Sequence, residues 1–232
     1  MILIAAYCAA LSRRTATTEI VLGTDIANRN RAETESVIGF FVNQLVLRVD
    51  FSGNPTVAEM IRRVKETGLD AFAHQDYPFD LLVDQLNPPR VRGGWPLFGV
   101  KFVMRNVRMP VVKIEGLTFE ALPVERHATT FEFVLTAVED GESIVLELDY
   151  STELYARRTI RDFIEEYGLV LDIMAGDDSV TLTDLDRRVR KAVFERRERH
   201  AAAEDLLRRD SIRTAQRRAV KVVGGDERLG ES

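Results

Sequence analysis

The clearest pattern in the chain is an alternation of apolar and polar residues on both sides of a short turn. Residues Thr130 to Val138 alternate, Asp140-Gly141 supplies turn residues, and Ser143 to Tyr150 alternates again. A period of two residues places one face of a strand in a core, and Asp-Gly is typical of tight hairpin turns. The pattern therefore predicts a β-hairpin.

Further strands are predicted where β-branched and aromatic residues cluster. These runs are Glu19 to Gly23, Phe40 to Val49, Phe98 to Met104, Val111 to Ile114 and Leu117 to Leu122. In the second run, Leu45, Leu47 and Val49 alternate as in a largely buried strand. In the third run, one face carries Phe98, Val100, Phe102 and Met104 and the other carries Lys101 and Arg105.

Apolar residues at helical spacing predict four helices. They cover residues 2–12, a segment that starts at Asn54-Pro55-Thr56, residues 77–86, and Arg157 to Met174. Thr56 followed by Glu59 has capping-box spacing, and Val57, Ile61, Val64, Ala71 and Phe72 fall near one face of that helix. The last helix should bury Ile160, Phe163, Ile164, Tyr167, Val170, Leu171 and Met174. Helices that alternate with strands and end in a hairpin predict an α/β or α+β domain with a mixed sheet.

Charge divides the chain into two parts. Residues 1–186 hold 18 Lys and Arg against 29 Asp and Glu, whereas residues 187–232 hold 14 against 8, a net charge of +6. We therefore predict a folded domain over residues 1–186 and a basic helical tail or linker, partly disordered, over residues 187–232. The tail is a solvated linker, a docking helix for an acidic partner, or a nucleic-acid-binding segment. Phe194 is its one aromatic residue, so nucleic acid is the least favoured partner.

Composition also restricts the class of protein. No apolar run is long enough to span a bilayer, and Arg13 and Arg14 follow the apolar opening segment instead of preceding it, unlike a secretory signal. The single cysteine, Cys8, lies in that segment and is expected to be a buried apolar side chain rather than a nucleophile. The sequence contains no recognisable metal-ligand set or phosphate-binding loop. These features predict a globular, cytoplasmic protein.

Two segments resemble signature motifs of the condensation domains of nonribosomal peptide synthetases. Ile38-Gly39-Phe40-Phe41-Val42-Asn43 is similar to Ile-Gly-x-Phe-Val-Asn, with Arg48 at the matching place. His74-Gln75-Asp76-Tyr77-Pro78-Phe79 matches His-Gln-Asp-Tyr-Pro-Phe. Several ordered motifs are a more specific signal than one short pattern.

Weaker matches flank these two motifs. Ile20 to Arg29 is similar to Val-x-Gly-x-x-x-x-x-Arg, and Leu148 to Tyr155 resembles the closing strand. Arg90 through Pro96-Leu97-Phe98 matches Arg…Pro-Leu-Phe, although Gly93-Gly94-Trp95 departs from the usual polar residues. Together the matches run from about Leu3 to Asp186 and resemble the C-terminal lobe of a condensation domain.

That resemblance implies one of two chloramphenicol-acetyltransferase-like lobes, with a tunnel between them. Carrier proteins would deliver acyl groups on phosphopantetheine arms, and an acceptor amine would attack the donor thioester. No permanently bound cofactor is implied. The family's His-His-x-x-x-Asp-Gly motif belongs to the N-terminal lobe and is absent here, because His74, His127 and His200 are not adjacent. The implied partners are carrier proteins and an N-terminal lobe in cis or in trans.

The resemblance assigns Gly39, Phe41, Asn43 and Arg48 to the substrate tunnel or the contact between lobes. Asn43 either faces the tunnel, polarising a carbonyl or positioning the pantetheine arm, or has a structural role. For Arg48 an ion pair or interlobe contact is favoured, and for Gly39 a backbone role or close approach of the lobes.

The remaining motif residues are expected to be structural. They are His74, Gln75, Asp76, Pro78, Phe79, Arg90 and Pro96. In particular, Asp76 should cap the following helix, with Pro78 in its first turn. No catalytic residue and no metal ligand is predicted in this chain.

Two hypotheses of function follow. The first is half of an amide-forming enzyme that supplies a tunnel wall and a carrier-docking surface and is inactive alone. The second is a non-catalytic module that recruits carrier proteins or tailoring enzymes. The intact motifs favour the first hypothesis. An ester-forming half is also open, because the sequence does not separate amine from hydroxyl acceptors.

Overall fold

A computed structural model of the chain describes residues 1–89, 94–105, 116–117 and 129–199. In chain order the elements are α1 (Ile2–Thr15), β1 (Glu19–Ile26), α2 (Ala32–Glu35), β2 (Asn43–Asp50), α3 (Val57–Ala73), α4 (Phe79–Leu86), β3 (Val100–Arg105), β4 (Phe133–Asp140), β5 (Ser143–Tyr150) and α5 (Arg157–Gly176). Residues 182–199 form a further helix. Contacts divide the chain into two compact units, Met1–Leu185 and Asp186–Ser232.

The strands form one mixed sheet in the order β2-β1-β3-β4-β5. The outer pairs, β1 with β2 and β4 with β5, are antiparallel, whereas β1 with β3 and β3 with β4 are parallel. Asp140 pairs with Ser143 across the hairpin, and Gly141 in the turn has a φ of +63°. This positive φ suits glycine, which has no Cβ to clash with the backbone. The mixed α/β class and the hairpin predicted from the sequence are confirmed.

One face of the sheet carries the apolar core. Register places Leu22 opposite Leu47 and Phe102 opposite Leu135, and all of these side chains are buried. Tyr7 of α1 is fully buried against this layer, with its ring 6.0 Å from the ring of Phe102 and 6.2 Å from that of Tyr167 in α5. The opening apolar segment is therefore the central helix of the core.

Helices α1 and α5 are joined by an ion-pair cluster inside this layer. Glu166 is buried, and its carboxylate accepts hydrogen bonds from Arg13 at 3.1 Å and from Arg14 at 2.8 and 2.9 Å. A buried carboxylate requires such partners because burial removes its hydration. The helical pattern of α5 correctly predicted that Ile160, Phe163, Tyr167, Val170 and Met174 are buried. The predicted Ile164 and Leu171 are only half-buried, and the pattern gave no sign that Glu166 is buried.

The opposite face of the sheet carries charged side chains as well as valines. Within the described residues, its ion pairs include Arg48–Glu19 at 2.8 Å, Lys101–Asp25 at 2.6 Å and Arg105–Glu147 at 3.7 Å. The Lys101 side chain is only 7% exposed, and its Nζ lies 4.6 Å from the centre of the Phe131 ring. A lysine can be buried in this way because both a carboxylate and an aromatic face replace its water.

Two predicted faces are wrong in detail. In α3 the buried residues are Val57, Met60, Val64 and Gly68, whereas Phe72 is 40% exposed. Phe98 lies over Gly23, on the opposite face from Phe102, because β3 begins only at Val100. The strand-like runs predicted at 111–114 and 117–122 lie almost wholly outside the described residues.

Candidate functional site

The side-chain amide of Asn43 connects the two signature motifs. Asn43 is the first residue of β2, and its Nδ2 donates to the carbonyl oxygens of Gln75 and Tyr77 at 2.9 and 2.8 Å. Its Oδ1 accepts from the backbone N–H of Phe79 at 3.1 Å. Both donor hydrogens and the carbonyl oxygen of the amide are thus engaged by backbone groups. In the structure, Asn43 therefore has a structural role, which is to hold the second motif against the start of β2.

This arrangement corrects the prediction that Asp76 caps α4. The residue before the helix is Pro78, whose side chain makes no capping hydrogen bond, and the first helical N–H, of Phe79, is bound by Asn43. Asp76 instead accepts a hydrogen bond from Asn30 at 3.1 Å. Asn43 is distant from α4 in the sequence, but it binds the first N–H of the helix in place of Asp76 because the start of β2 lies beside the start of α4.

Arg29 organises the loop that leads into Asn43. Its guanidinium donates to the carbonyl oxygens of Thr34, Val37 and Gly39, the last two at 2.9 and 3.1 Å. The same group lies 4.1 Å from the centre of the Phe41 ring. A planar cation that binds several carbonyls and stacks on a ring holds the loop in one conformation. The predicted site residues Gly39 and Phe41 are both fixed in this way.

An aromatic cluster forms on the other side of Asn43. Trp95 stacks on Phe131 with a centroid separation of 4.3 Å and lies 6.5 Å from Phe79, while its indole N–H donates to the Thr130 carbonyl at 2.7 Å. Phe98 joins the cluster, 5.7 Å from both Phe79 and Phe131. Stacked and tilted rings at these separations stabilise the fold by more than the burial of their apolar area alone. Trp95, at which the sequence departs from the family pattern, is thus part of this aromatic cluster.

These elements surround a pocket of about 460 Å³. It is lined by Asn28, Phe40, Phe41, Val42, Asn43, Gln44, Asp76, Pro78, Phe79, Asp80 and Trp95. Aromatic rings form much of its wall, amide groups contribute hydrogen-bonding capacity, and two carboxylates supply negative charge. A mostly apolar concave surface with a few polar groups is the usual form of a small-molecule site. Among the described residues, no lysine, arginine or histidine lines this pocket.

Five of the motif residues line the pocket. Phe41 and Asn43 were assigned to the tunnel or the contact between lobes, whereas Asp76, Pro78 and Phe79 were expected to be structural. Six further lining residues were missed, namely Asn28, Phe40, Val42, Gln44, Asp80 and Trp95. Phe40, Val42 and Gln44 lie inside or next to the motif ending at Asn43, and Asp80 directly follows Phe79, so proximity in sequence was an available signal. Trp95 carried the other signal, because it departs from the family pattern.

Of the other predicted residues, those that the structure describes do not line the pocket. Arg48 is exposed and pairs with Glu19, whose pKa is lowered by that hydrogen bond. His74 ends α3, and its ring Nδ1 lies 2.8 Å from the carbonyl oxygen of Asp70. Gln75 uses its backbone carbonyl for Asn43, and Pro96 lies half-buried in a bend after Trp95. Arg90 falls outside the described residues.

Other kinds of site find no support in the described part of the chain. Cys8 is fully buried, and burial raises the pKa of its thiol, so it remains protonated and inaccessible. The described residues contain no group of metal-ligating side chains. None of the described helices has the length and apolar character needed to cross a bilayer.

Comparison with known proteins identifies the family. Residues 1–187 match the family described as Condensation domain. The chain belongs to the condensation domain family. The motif resemblance read from the sequence is therefore confirmed at the level of the family, and the pocket of this condensation-domain chain is built around its two strongest motifs.

Two similar proteins, both from the linear gramicidin synthase of Brevibacillus parabrevis, are much longer than the chain. One is 39% identical over 189 residues, which are 80% of this chain and 4% of that protein. The other is 41% identical over 187 residues, again 80% of this chain and 4% of that protein. The chain thus spans about 4% of the length of these curated relatives.

A solved structure supports the fold independently. The crystal structure of the X-domain from teicoplanin biosynthesis superposes with a TM-score of 0.73 at 24% identity. The match covers 79% of this chain and 42% of that chain. At this identity the likeness concerns the fold.

Proposed function

We propose that the chain forms the C-terminal lobe of a condensation domain and supplies one wall of the tunnel in which nonribosomal peptide synthetases form amide bonds. The observation that carries the proposal is the family match over residues 1–187, combined with a pocket whose wall is made by the family's own motifs. The match to 42% of a solved relative's chain supports a single lobe.

In this proposal the pocket accepts part of a pantetheine-linked acyl chain. Pantetheine contains two amides and an apolar dimethyl group, and the pocket offers amide side chains at Asn28 and Gln44 beside the rings of Phe41 and Phe79. Asn43 has its amide bound to the backbone, so its contribution is to hold the β2 and α4 ends of the pocket together. Phosphopantetheine therefore acts here as the substrate carrier and not as a permanent cofactor.

The proposal assigns the chemical step to a second lobe. Amide formation needs a group that orients or deprotonates the acceptor amine and stabilises the charge of the tetrahedral intermediate. The family's adjacent histidines would supply it from the N-terminal lobe, and His74 makes a backbone contact at the end of α3 instead. The chain alone is then inactive, and its partners are that lobe and two carrier proteins, in the cytoplasm.

Reconstitution with a separate N-terminal lobe tests this function. The chain is mixed with the histidine-bearing lobe of a condensation domain from linear gramicidin synthase and with donor-loaded and acceptor-loaded carrier proteins. Mass spectrometry of the acceptor carrier should show a new peptide only when both lobes are present. Product from the chain alone would contradict the assignment of chemistry to the second lobe. Carrier binding without product from any combination would support the recruiting module instead.

Two exposed phenylalanines provide a matched pair of variants for the same assay. Phe40 lines the pocket and is 89% exposed, whereas Phe194 is 62% exposed and lies elsewhere in the sequence. Loss of a ring that covers an apolar part of the acyl-pantetheine chain should weaken the apparent affinity for the loaded carrier protein about tenfold. We expect this effect for Phe40→Ser, with Phe194→Ser unchanged. Equal effects of the two changes would argue that the pocket is not part of the tunnel.

A further inference from the structure

The ring of Phe41 is held in place by two residues of its own loop. The guanidinium of Arg29 lies 4.1 Å from the ring centre, and both side chains are half-buried. Gly39 lies against the same ring, because a Cβ added to Gly39 would stand 3.2 Å from Cε2 of Phe41. Close contacts on the ring leave it little freedom to turn away from the pocket that it lines.

Gly39 serves this contact and not an unusual backbone angle. It does not have the positive φ that Gly53 and Gly141 adopt, so its φ does not require glycine. A larger residue at this position would instead disturb the Phe41 ring, which would have to move by a few tenths of an ångström. The missing side chain of Gly39 is thus a condition for the position of the ring.

Arg29 fixes the backbone that carries the ring. Its N–H groups donate to the carbonyl oxygens of Val37 and Gly39 at 2.9 and 3.1 Å, just before Phe41 in the chain. Two residues after Phe41, the amide of Asn43 is bound to the second motif. A guanidinium can bind these carbonyls and stack on a ring at the same time, whereas the compact ammonium of a lysine cannot replace its planar fork.

We propose that Arg29 is a positioning residue of the condensation reaction and acts by holding the Phe41 ring as a fixed part of the pocket wall. The inference rests on the proposed tunnel wall and deepens it. A ring that is already held loses little conformational entropy when an acyl-pantetheine chain packs on it. Arg29 is not among the described residues that line the pocket, so its effect on substrate passes through the ring.

The reconstituted reaction with a separate histidine-bearing lobe separates binding from chemistry. The apparent KM of each loaded carrier protein is measured while the other carrier is saturating. Arg29→Lys should raise the KM for at least one carrier about two- to fivefold and leave kcat unchanged, because the chemical step belongs to the other lobe. Gly39→Ala displaces the same ring from another side and should raise the same KM. Arg62→Lys, the same change at an exposed arginine of α3 that pairs with Glu59, should have no effect.

A double-mutant cycle with Phe41→Leu distinguishes positioning from a merely structural role. Phe41→Leu removes the ring and should itself raise the KM. If Arg29 acts through the ring, adding Arg29→Lys to Phe41→Leu should raise the KM no further. A structural role independent of the ring would give the same fold-change in both backgrounds, and that result would overturn the proposal. If Arg29→Lys does not fold, Gly39→Ala completes the same cycle.

The results also separate this proposal from the tunnel wall on which it rests. Product from the unaltered chain and second lobe, with an unchanged KM in Arg29→Lys and Gly39→Ala, would overturn the positioning role and leave the tunnel wall in place. A fall in kcat at unchanged KM would overturn it as well. No product from the unaltered chain with the second lobe would overturn both proposals.

Discussion

Replacement of Asn43 by alanine tests whether one amide holds the two motifs together. The change removes three hydrogen bonds, two to the carbonyl oxygens of Gln75 and Tyr77 and one from the N–H of Phe79. A net contribution of about 1 kcal/mol for each would give about 3 kcal/mol, but solvent can replace the exposed bond to Tyr77. We therefore expect Asn43→Ala to lower the free energy of unfolding by about 2 kcal/mol.

Urea unfolding followed by far-ultraviolet circular dichroism measures this loss, with Asn30→Ala as the matched control. Asn30 also makes an amide hydrogen bond, to the Asp76 carboxylate, but this bond is exposed and should contribute less than about 0.5 kcal/mol. Hydrogen exchange should become faster in residues 74–82 of the Asn43 variant, with α5 unchanged. A loss no larger than that of the Asn30 variant would refute the structural role.

Asn43→Asp provides a chemical check on the same geometry. The introduced carboxylate keeps an acceptor for the Phe79 N–H but places an oxygen against the carbonyl oxygens of Gln75 and Tyr77. Two acceptors at hydrogen-bond distance repel each other. The variant should be less stable than Asn43→Ala near neutral pH and should recover as acid protonates the carboxylate. Absence of that recovery would mean that the amide donors are unimportant.

Three further changes test other parts of the fold. Gly23→Ala should destabilise the domain by about 1–3 kcal/mol in thermal unfolding, because a Cβ there would lie 2.1 Å from a buried phenyl carbon. Lys101→Met leaves the Asp25 carboxylate without its cation and should lower the unfolding free energy by about 2 kcal/mol, whereas adding Asp25→Asn should restore part of the loss. Hydrogen bonding, chiefly from Arg62, lowers the pKa of Glu59 from 4.5 to about 2, so its stabilising effect is present above pH 4.5 and lost towards pH 2. Unfolding curves of the native chain and of Glu59→Gln should therefore differ near neutral pH and converge near pH 2.

Local patterns were most reliable where a residue's environment depends on its near neighbours. Thr56 caps α3 by accepting a hydrogen bond from the N–H of Glu59, as the capping-box spacing predicts. The side chain of Glu59, however, pairs with Arg62 and Arg63 instead of completing the box. Of the residues that the motifs assigned to the tunnel or the contact between lobes, Phe41 and Asn43 line the pocket.

The predictions failed where a partner comes from a distant part of the chain. Asp76 has the spacing of a helix cap, but Asn43 arrives from β2 and takes that place. The pattern around Phe98 fits a strand, but the ring occupies the space that Gly23 leaves on the opposite face of the sheet. Neither contact can be predicted from neighbouring residues, because each depends on which strand lies beside which segment.

The sequence by itself determined the family, the mixed α/β class and the segments that carry the motifs, since periodicity and motif spacing are properties of neighbouring residues. Only the tertiary structure decided that Lys101 and Glu166 are buried with their partners, that Asn43 supports the second motif, and that Trp95 joins a pocket wall. These outcomes depend on contacts between segments far apart in the chain. Burial removes water from polar groups such as Lys101 and Glu166, so each of them needs a hydrogen-bonding or charged partner from another segment.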